Sequence, residues 1–206
     1  MRPPPPSRVT TLASKTDDWF RRASATLLSQ VPCRSGCSHC CIGLFPITRL
    51  DVRLLQEGLA DLSTAQRKHI VTRAAQQVTA LEAVFPRLGS SPSLDAWSDA
   101  DVDEAVRTFH DAPCPALGDN GLCSLYPYRP LTCRSMGIPT RHGAMVHGAC
   151  EVQTFVPITR LSAALEAEEQ LLANLESVEL AALPEVSVGG EELLLPYGFV
   201  STSQHL

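Results

Sequence analysis

Apolar residues in this chain recur mostly at helical spacing, three or four positions apart, and seldom alternate as they would along a half-buried strand. In "TDDWFRRASATLLSQ", residues 16–30, Trp19, Ala23, Leu27 and Leu28 share one face, and Asp17 and Asp18 stand near the N-terminus, where acidic residues favour a helix. Pro32 stops that element. "PITRLDVRLLQEGLADLS", residues 46–63, predicts a second helix, with Thr48 as cap, Asp51 three residues on, and Leu50, Leu54 and Leu55 as its apolar stripe. Ser63 and Gln66 form a capping-box pattern that opens a longer helix to about Phe85, burying Ile70, Ala74, Val78, Leu81 and Phe85. Residues 86–98 read as a loop, and 99–109 as a further helical piece ending near Phe109.

Late in the chain, "PITRLSAALEAEEQLLANLESVELAAL" reads as a strong helix with Leu161, Leu165, Leu172 and Leu175 on one side. The Glu-rich run at 166–169 is its solvated face. "EVSVGGEELLLPYGFV" predicts a small C-terminal hairpin turning at Gly189-Gly190. "PITRL" occurs twice, at 46–50 and 157–161; because the flanks do not repeat, it reads as repeated helix-start chemistry rather than a duplicated domain. Between Ala112 and Cys150 neither period holds. That segment carries Pro113, Pro115, Pro127, Pro130 and Pro139 and five glycines, and irregular stretches of such length are uncommon in a compact domain unless something orders them.

The fold class that follows is mainly α, a helical domain with an irregular Pro- and Cys-rich lobe clasped by metal and a small C-terminal hairpin. At 206 residues the chain suits one ordinary domain. Residues 1–14 are expected to be a disordered Pro-rich tail and 15–206 a single cysteine-cluster domain, with its motif region at 33–150. Hydrophobic content of 44% and charged content of 19% place the chain among globular proteins, and aromatics at 5% leave the core to aliphatic side chains. A net charge of −5 gives no support to phosphate neutralisation, so no nucleic-acid partner is expected. No membrane span and no apolar signal-peptide core are legible, which points to a cytoplasmic protein, where eight cysteines suit metal ligation or catalysis better than disulfides.

Four of those cysteines crowd into "CRSGCSHCC": Cys33, Cys37, Cys40 and Cys41. On an ideal helix they would share one stripe and could be small buried hydrophobes, but Gly36 and Pro32 leave room for only a short helix. The other four, Cys114, Cys123, Cys133 and Cys150, are spaced unlike paired C-x2-C zinc knuckles and suit a loop wrapped about a common centre, which thiolate–metal bonds would order. Arg129 and Arg134 bracket Cys133, either as counter-charges to a tetrathiolate centre or as surface ion-pair residues.

"CRSGCSHCC", then Cys114-Pro115-Ala116-Leu117, then Gly121-Leu122-Cys123-Ser124-Leu125-Tyr126 with Arg129-Pro130 and Cys133-Arg134, and finally Cys150, resemble the YkgJ-like cysteine-cluster family of zinc- or iron-chelating CxxCxxCC domains. The match runs over about residues 33–150, and each family cysteine has a counterpart. One departure is that three residues, not two, separate Cys33 from Cys37. The resemblance implies chelation by Cys33, Cys37, Cys40, Cys41, Cys114, Cys123, Cys133 and Cys150. The domain type also occurs in flagellin lysine methylases, which makes a protein-modifying enzyme one alternative.

All-sulfur coordination suits Zn²⁺ and iron–sulfur clusters alike, and eight thiolates could make two four-cysteine sites or one site with four spare thiols. Adjacent Cys40 and Cys41 point apart in most backbone geometries and so suit different centres or an irregular turn. The arrangement expected mixes ligands from both halves, clasping the 112–150 loop to the first motif. His39, His142 and His147 lie near the cysteines and could replace a thiolate on zinc, although eight thiols already suffice.

C-x3-C-x2-C also matches the radical S-adenosylmethionine triad, and Gly189-Gly190-Glu191 resembles a methionine-contacting motif there, but the strand–helix alternation of an α/β barrel is missing. A thioredoxin-like redox role lacks the flanking strand that would support Cys37 and Cys40. The reading is therefore a metal-binding protein that holds iron, as an iron–sulfur cluster, or zinc through eight cysteines. The alternatives are a metal-dependent enzyme and an adaptor folded about structural zinc.

Overall fold

Helix start signals placed by sequence reappear as caps in the computed structural model of the protein, which describes residues 8–27, 36–138, 140–142, 145–147, 161–184 and 190–200. The chain divides into two compact units, Met1–Cys40 with Pro130–Leu183, and Cys41–Arg129 with Pro184–Leu206. Both are mainly helical, as the apolar spacing predicts.

The first unit is built on α1, Arg8–Leu27, and α7, Ala163–Ala181, with the one-turn-plus α6, Leu131–Ser135. α1 begins upstream of the sequence expectation and takes in residues assigned to the Pro-rich tail. Leu12 and Ala13 supply the reason: both are buried and continue the stripe of Thr16, Trp19 and Ala23 by one more turn. Asp17 and Asp18 are consequently mid-helix residues rather than first-turn ones. Trp19 sits at the centre of a cluster with Ala23, Ile138, Leu161 and Leu165, and its indole N–H donates to the Leu165 carbonyl at 2.9 Å, so the buried ring leaves no orphan donor. Leu28 and Pro32 lie outside the described residues.

α7 is capped by Ser162, whose hydroxyl accepts from the Leu165 N–H. The second "PITRL" therefore does not start its helix at the threonine as the first does; residues 157–160 lie outside the described ones. Leu161 and Leu165 are buried as expected, whereas Leu175 is 37% exposed and Leu180 is buried instead. Two short strands, β2 (Thr140–His142) and β3 (Met145–His147), pair antiparallel inside the segment that shows no period in sequence.

The second unit opens with β1, Pro46–Thr48, which leads into α2, Arg49–Asp61. Thr48 and Asp51 form the expected reciprocal cap, with Asp51 itself buried against the Thr48 N–H at 3.2 Å. α3, Thr64–Val84, starts at the Ser63–Gln66 box and buries Ile70, Ala74, Val78 and Leu81. The stretch read as a loop contains α4, Arg87–Ser90, a single turn that tucks Leu88 inside. α5, Asp99–Thr108, is capped by Ser98 and ends at Phe109.

The C-terminal strand β4, Glu192–Leu194, does form, and its described partner is β1, with Ile47 opposite Leu193. Residues 185–189, including Gly189, lie outside the described ones. Asp95 organises this edge by accepting from the Glu191 N–H at 3.0 Å and the Glu192 N–H at 3.2 Å. The Gly-Gly-Glu run thus contributes backbone donors to an aspartate. Leu195 and Phe199 follow into a core shared with Ile47, Leu55, Leu59, Ile70 and Leu125.

Candidate metal centre

Six of the eight candidate cysteines fall among the described residues, all half-buried and none in a disulfide: Cys37, Cys40, Cys41, Cys114, Cys123 and Cys133. Cys33 and Cys150 lie outside them. Cys37, Cys40 and Cys133 belong to the first unit, and Cys41, Cys114 and Cys123 to the second. No continuous helix carries the first motif: Gly36 has φ 84°, and His39–Cys41 is a single 3-10 turn. The buried-stripe explanation of these thiols thereby loses its premise. Cys133 lies within α6.

The second unit brings its part of the first motif against the start of the Pro-rich segment. The Cys114 N–H donates to the Cys41 carbonyl at 2.7 Å and the Gly43 N–H to the Ala112 carbonyl at 2.8 Å, which makes Ile42 and Pro113 an antiparallel pair. Gly43 has φ 97°, and a Cβ there would stand 3.1 Å from the His110 carbonyl oxygen, so both conformation and space demand glycine. The bridge is an isolated one, flanked by the 3-10 turn that ends at Cys41 and by the turn that Cys114 opens.

Cys114 then opens a tight turn, with the Leu117 N–H returning to its carbonyl at 3.0 Å. A miniature hairpin follows: Gly118 N–H donates to the Leu122 carbonyl at 2.9 Å and Ser124 N–H to the Ala116 carbonyl at 2.8 Å, setting Cys123 opposite Leu117. Gly121, at φ 75°, makes its turn possible. Cys114 and Cys123 both pack on the cluster containing Ala116 and Leu125.

Helix α3 fastens this loop from outside. Arg73 donates through Nη1 to the Leu117 carbonyl at 2.7 Å and through Nη2 to the Cys114 carbonyl at 3.4 Å, while Gln77 Nε2 donates to the Pro113 carbonyl at 2.7 Å. Sequence reasoning passed over both residues. Their signal was a polar pair four positions apart, flanking the buried stripe of an otherwise ordinary helix.

Electrostatics around Cys114 favour its neutral thiol. Burial pushes it up to about 12; the Ala116 and Leu117 N–H groups and the Arg73 charge pull the other way, and neighbouring Cys123 adds to the rise. Backbone donors aimed at sulfur stabilise thiolate, and a metal supplies the charge that burial otherwise refuses. The donor set therefore fits a thiophilic metal chemically. Among the described residues, however, no three His, Cys, Asp or Glu side chains are already gathered as a metal would hold them.

The remaining candidates find other settings. His39 is exposed on its turn, and His142 and His147 occupy β2 and β3. Arg134 is 3% exposed and forms an ion pair with Asp17 of α1, whose side chain is 38% exposed, so a buried guanidinium meets a carboxylate open to solvent. Arg129 lies 4.1 Å over the Tyr126 ring and donates to its carbonyl at 3.0 Å. No helix among the described residues is long and apolar enough to cross a membrane.

A family model matches residues 32–151, more than half of the chain: CxxCxxCC, described as "Putative zinc- or iron-chelating domain". No curated protein and no solved structure matches the chain.

Proposed function

The chain belongs to the CxxCxxCC family, and on that premise we propose that it chelates zinc or iron through the thiolates of Cys33, Cys37, Cys40, Cys41, Cys114, Cys123, Cys133 and Cys150. The metal is Zn²⁺ or the iron of an iron–sulfur cluster, the two partners that an all-sulfur shell selects. The observation that carries the reading is the hydrogen bond from the Cys114 N–H to the Cys41 carbonyl, which with the Ile42–Pro113 pairing brings the end of the first cysteine motif against the start of the Pro-rich segment.

When bound, the metal contributes charge and cross-linking, holding together a segment rich in proline that has few regular hydrogen bonds of its own. The chain's own residues do the rest: Arg73 and Gln77 fix the loop carbonyls, and the hairpin at 117–123 orients Cys123. Anaerobic purification followed by assay of zinc, iron and acid-labile sulfide tests the proposal. Stoichiometric zinc in a colourless protein, or iron with sulfide and broad visible absorption, is the expected result. A protein with neither metal whose fold survives chelators would overturn it.

A further inference from the structure

Only one side of α7 is used by the unit that contains it. Leu165 and Leu172 pack in the cluster around Trp19 of α1. A second apolar stripe runs down the helix about 100–120° round its axis. It comprises Ala164, Ala167, Leu171, Leu175, Val178 and, just past the last turn, Ala182. All six are exposed, Leu171 by 61%, Leu175 by 37% and Val178 by 67%. Single exposed leucines are ordinary, whereas an unbroken apolar line over about five turns marks an interaction surface.

We infer that this stripe is the seam of a homodimer, in which α7 packs antiparallel on α7 of a second copy. The inference does not depend on the chelation reading. The order of side-chain sizes points to a second copy as the occupant. From either end the stripe begins with small residues and reaches its leucines in the middle, in the three- and four-residue steps of paired helices. A two-fold axis near residue 173 sets Leu171 on the partner's Leu175, Val178 by the partner's Ala167 and Ala164 by the partner's Ala182. Large side chains then meet at the centre and alanines at the ends.

Charge points the same way. α7 has five glutamates and no lysine or arginine, yet none of the five stands in the stripe. One flank is neutral, with Gln170 donating to Asn174 at 3.3 Å and Ser177 beyond. On the other flank, Glu168 is held by Arg22 at 2.6 Å and Glu179 keeps one carboxylate oxygen buried. In the antiparallel register Glu168 falls by the partner's Val178 and Glu179 by the partner's Ala167, so no acid opposes an acid. A parallel pairing would stack each glutamate on its own counterpart, which like-charge repulsion penalises. A basic foreign helix would meet a neutral flank on one side and an acid already paired with Arg22 on the other, so charge gives it no advantage. A helix of 19 residues is about 28 Å long, and a seam about 10 Å wide along it covers far less than the ~800 Å² per partner of a standard interface. The dimer is therefore weak and dissociates on dilution.

Sedimentation velocity on the full-length, metal-loaded protein under reductant tests this. The wild type should be largely dimeric at about 0.1 mM and monomeric at about 1 μM, as suits so small an interface. L171E/V178E should be monomeric at both concentrations with unchanged circular dichroism and metal content, because both side chains are exposed. L171E mixed with L175K should associate more tightly than either alone, since the antiparallel register brings those two positions together. A wild type that stays monomeric at the higher concentration, association that survives L171E/V178E, or no gain on mixing would overturn the proposal. So would a monomer that instead binds a synthetic Leu- and Lys-rich helical peptide through Leu171 and Val178. None of these results bears on chelation, which the metal assay decides separately.

Discussion

Cys114 donates its backbone N–H to the carbonyl of Cys41 at 2.7 Å, one of the two hydrogen bonds that pair Ile42 with Pro113. One hydrogen bond thus joins the two cysteine motifs of the chain. Everything that braces this contact lies in the second unit: the Gly43 turn, the hairpin at Cys123 and the α3 side chains.

Chemical reactivity should report this environment. In metal-free protein at pH 9, the Cys114 thiol, held up to about 12, is ionised about a thousandth of the time, against about half for an ordinary thiol. Greater intrinsic nucleophilicity of the more basic thiolate recovers a factor of about 20 to 30. Alkylation of Cys114 is therefore expected to run about 20 times slower than in the unfolded chain, measured by peptide mass spectrometry over time. Equal rates in the two states would show the sulfur to be solvated.

Arg73 should matter to metal retention beyond its share of stability. R73A removes a charged fork from two loop carbonyls, and hydrogen bonds to charged groups contribute about 1.5–3 kcal/mol in favourable settings. Loss of an outer-shell partner typically weakens metal binding about 10–100-fold. R73K keeps the charge without the fork and should fall between the two. Competition with a chromophoric chelator measures this, and wild-type affinity in R73A would remove Arg73 from the site.

Gly58 tests a packing relation away from the thiols. Within α2 a glycine-to-alanine change ordinarily stabilises by about 0.8–1 kcal/mol. Here the added Cβ would lie 2.6 Å from the Tyr128 Cβ and 2.7 Å from its Cγ. Forced overpacking of that kind costs about 1–3 kcal/mol, so the clash outweighs the helix gain. G58A should lower the melting temperature of the wild type and raise it in a Y128G background, which removes the Cβ that the new methyl would meet. The same sign in both backgrounds would refute the contact.

Ser98 and Asp101 supply a pH-dependent element at the start of α5. The Ser98 hydroxyl donates to the Asp101 carboxylate at 2.9 Å, and Arg87 approaches at 3.1 Å, together holding the carboxyl below its usual range. Because the folded value is the lower one, this contribution is present above the ordinary aspartate range near ~4 and is lost as pH falls through the depressed value. Replacement S98A should raise the Asp101 titration midpoint more than R87A does, read by NMR. The reverse order would make the ion pair the dominant cause.

Sequence alone determined the helices whose signals are local. Thr48 with Asp51, Ser63 with Gln66, and the 70–74–78–81 stripe act over one or two turns, so their chemistry is complete within the segment that shows it. It also determined the thiol inventory, with four cysteines in nine residues and four more spread through the Pro-rich segment. Tertiary structure alone decided the partners. β4 found β1, Cys114 found Cys41, and α3 lent Arg73 and Gln77 to a loop some forty residues downstream. Strands of three residues are too short for alternation to be read, and a backbone hydrogen bond carries no side-chain signature of its partner. Which stretches of backbone the cysteines sit beside is therefore settled only when distant segments pair.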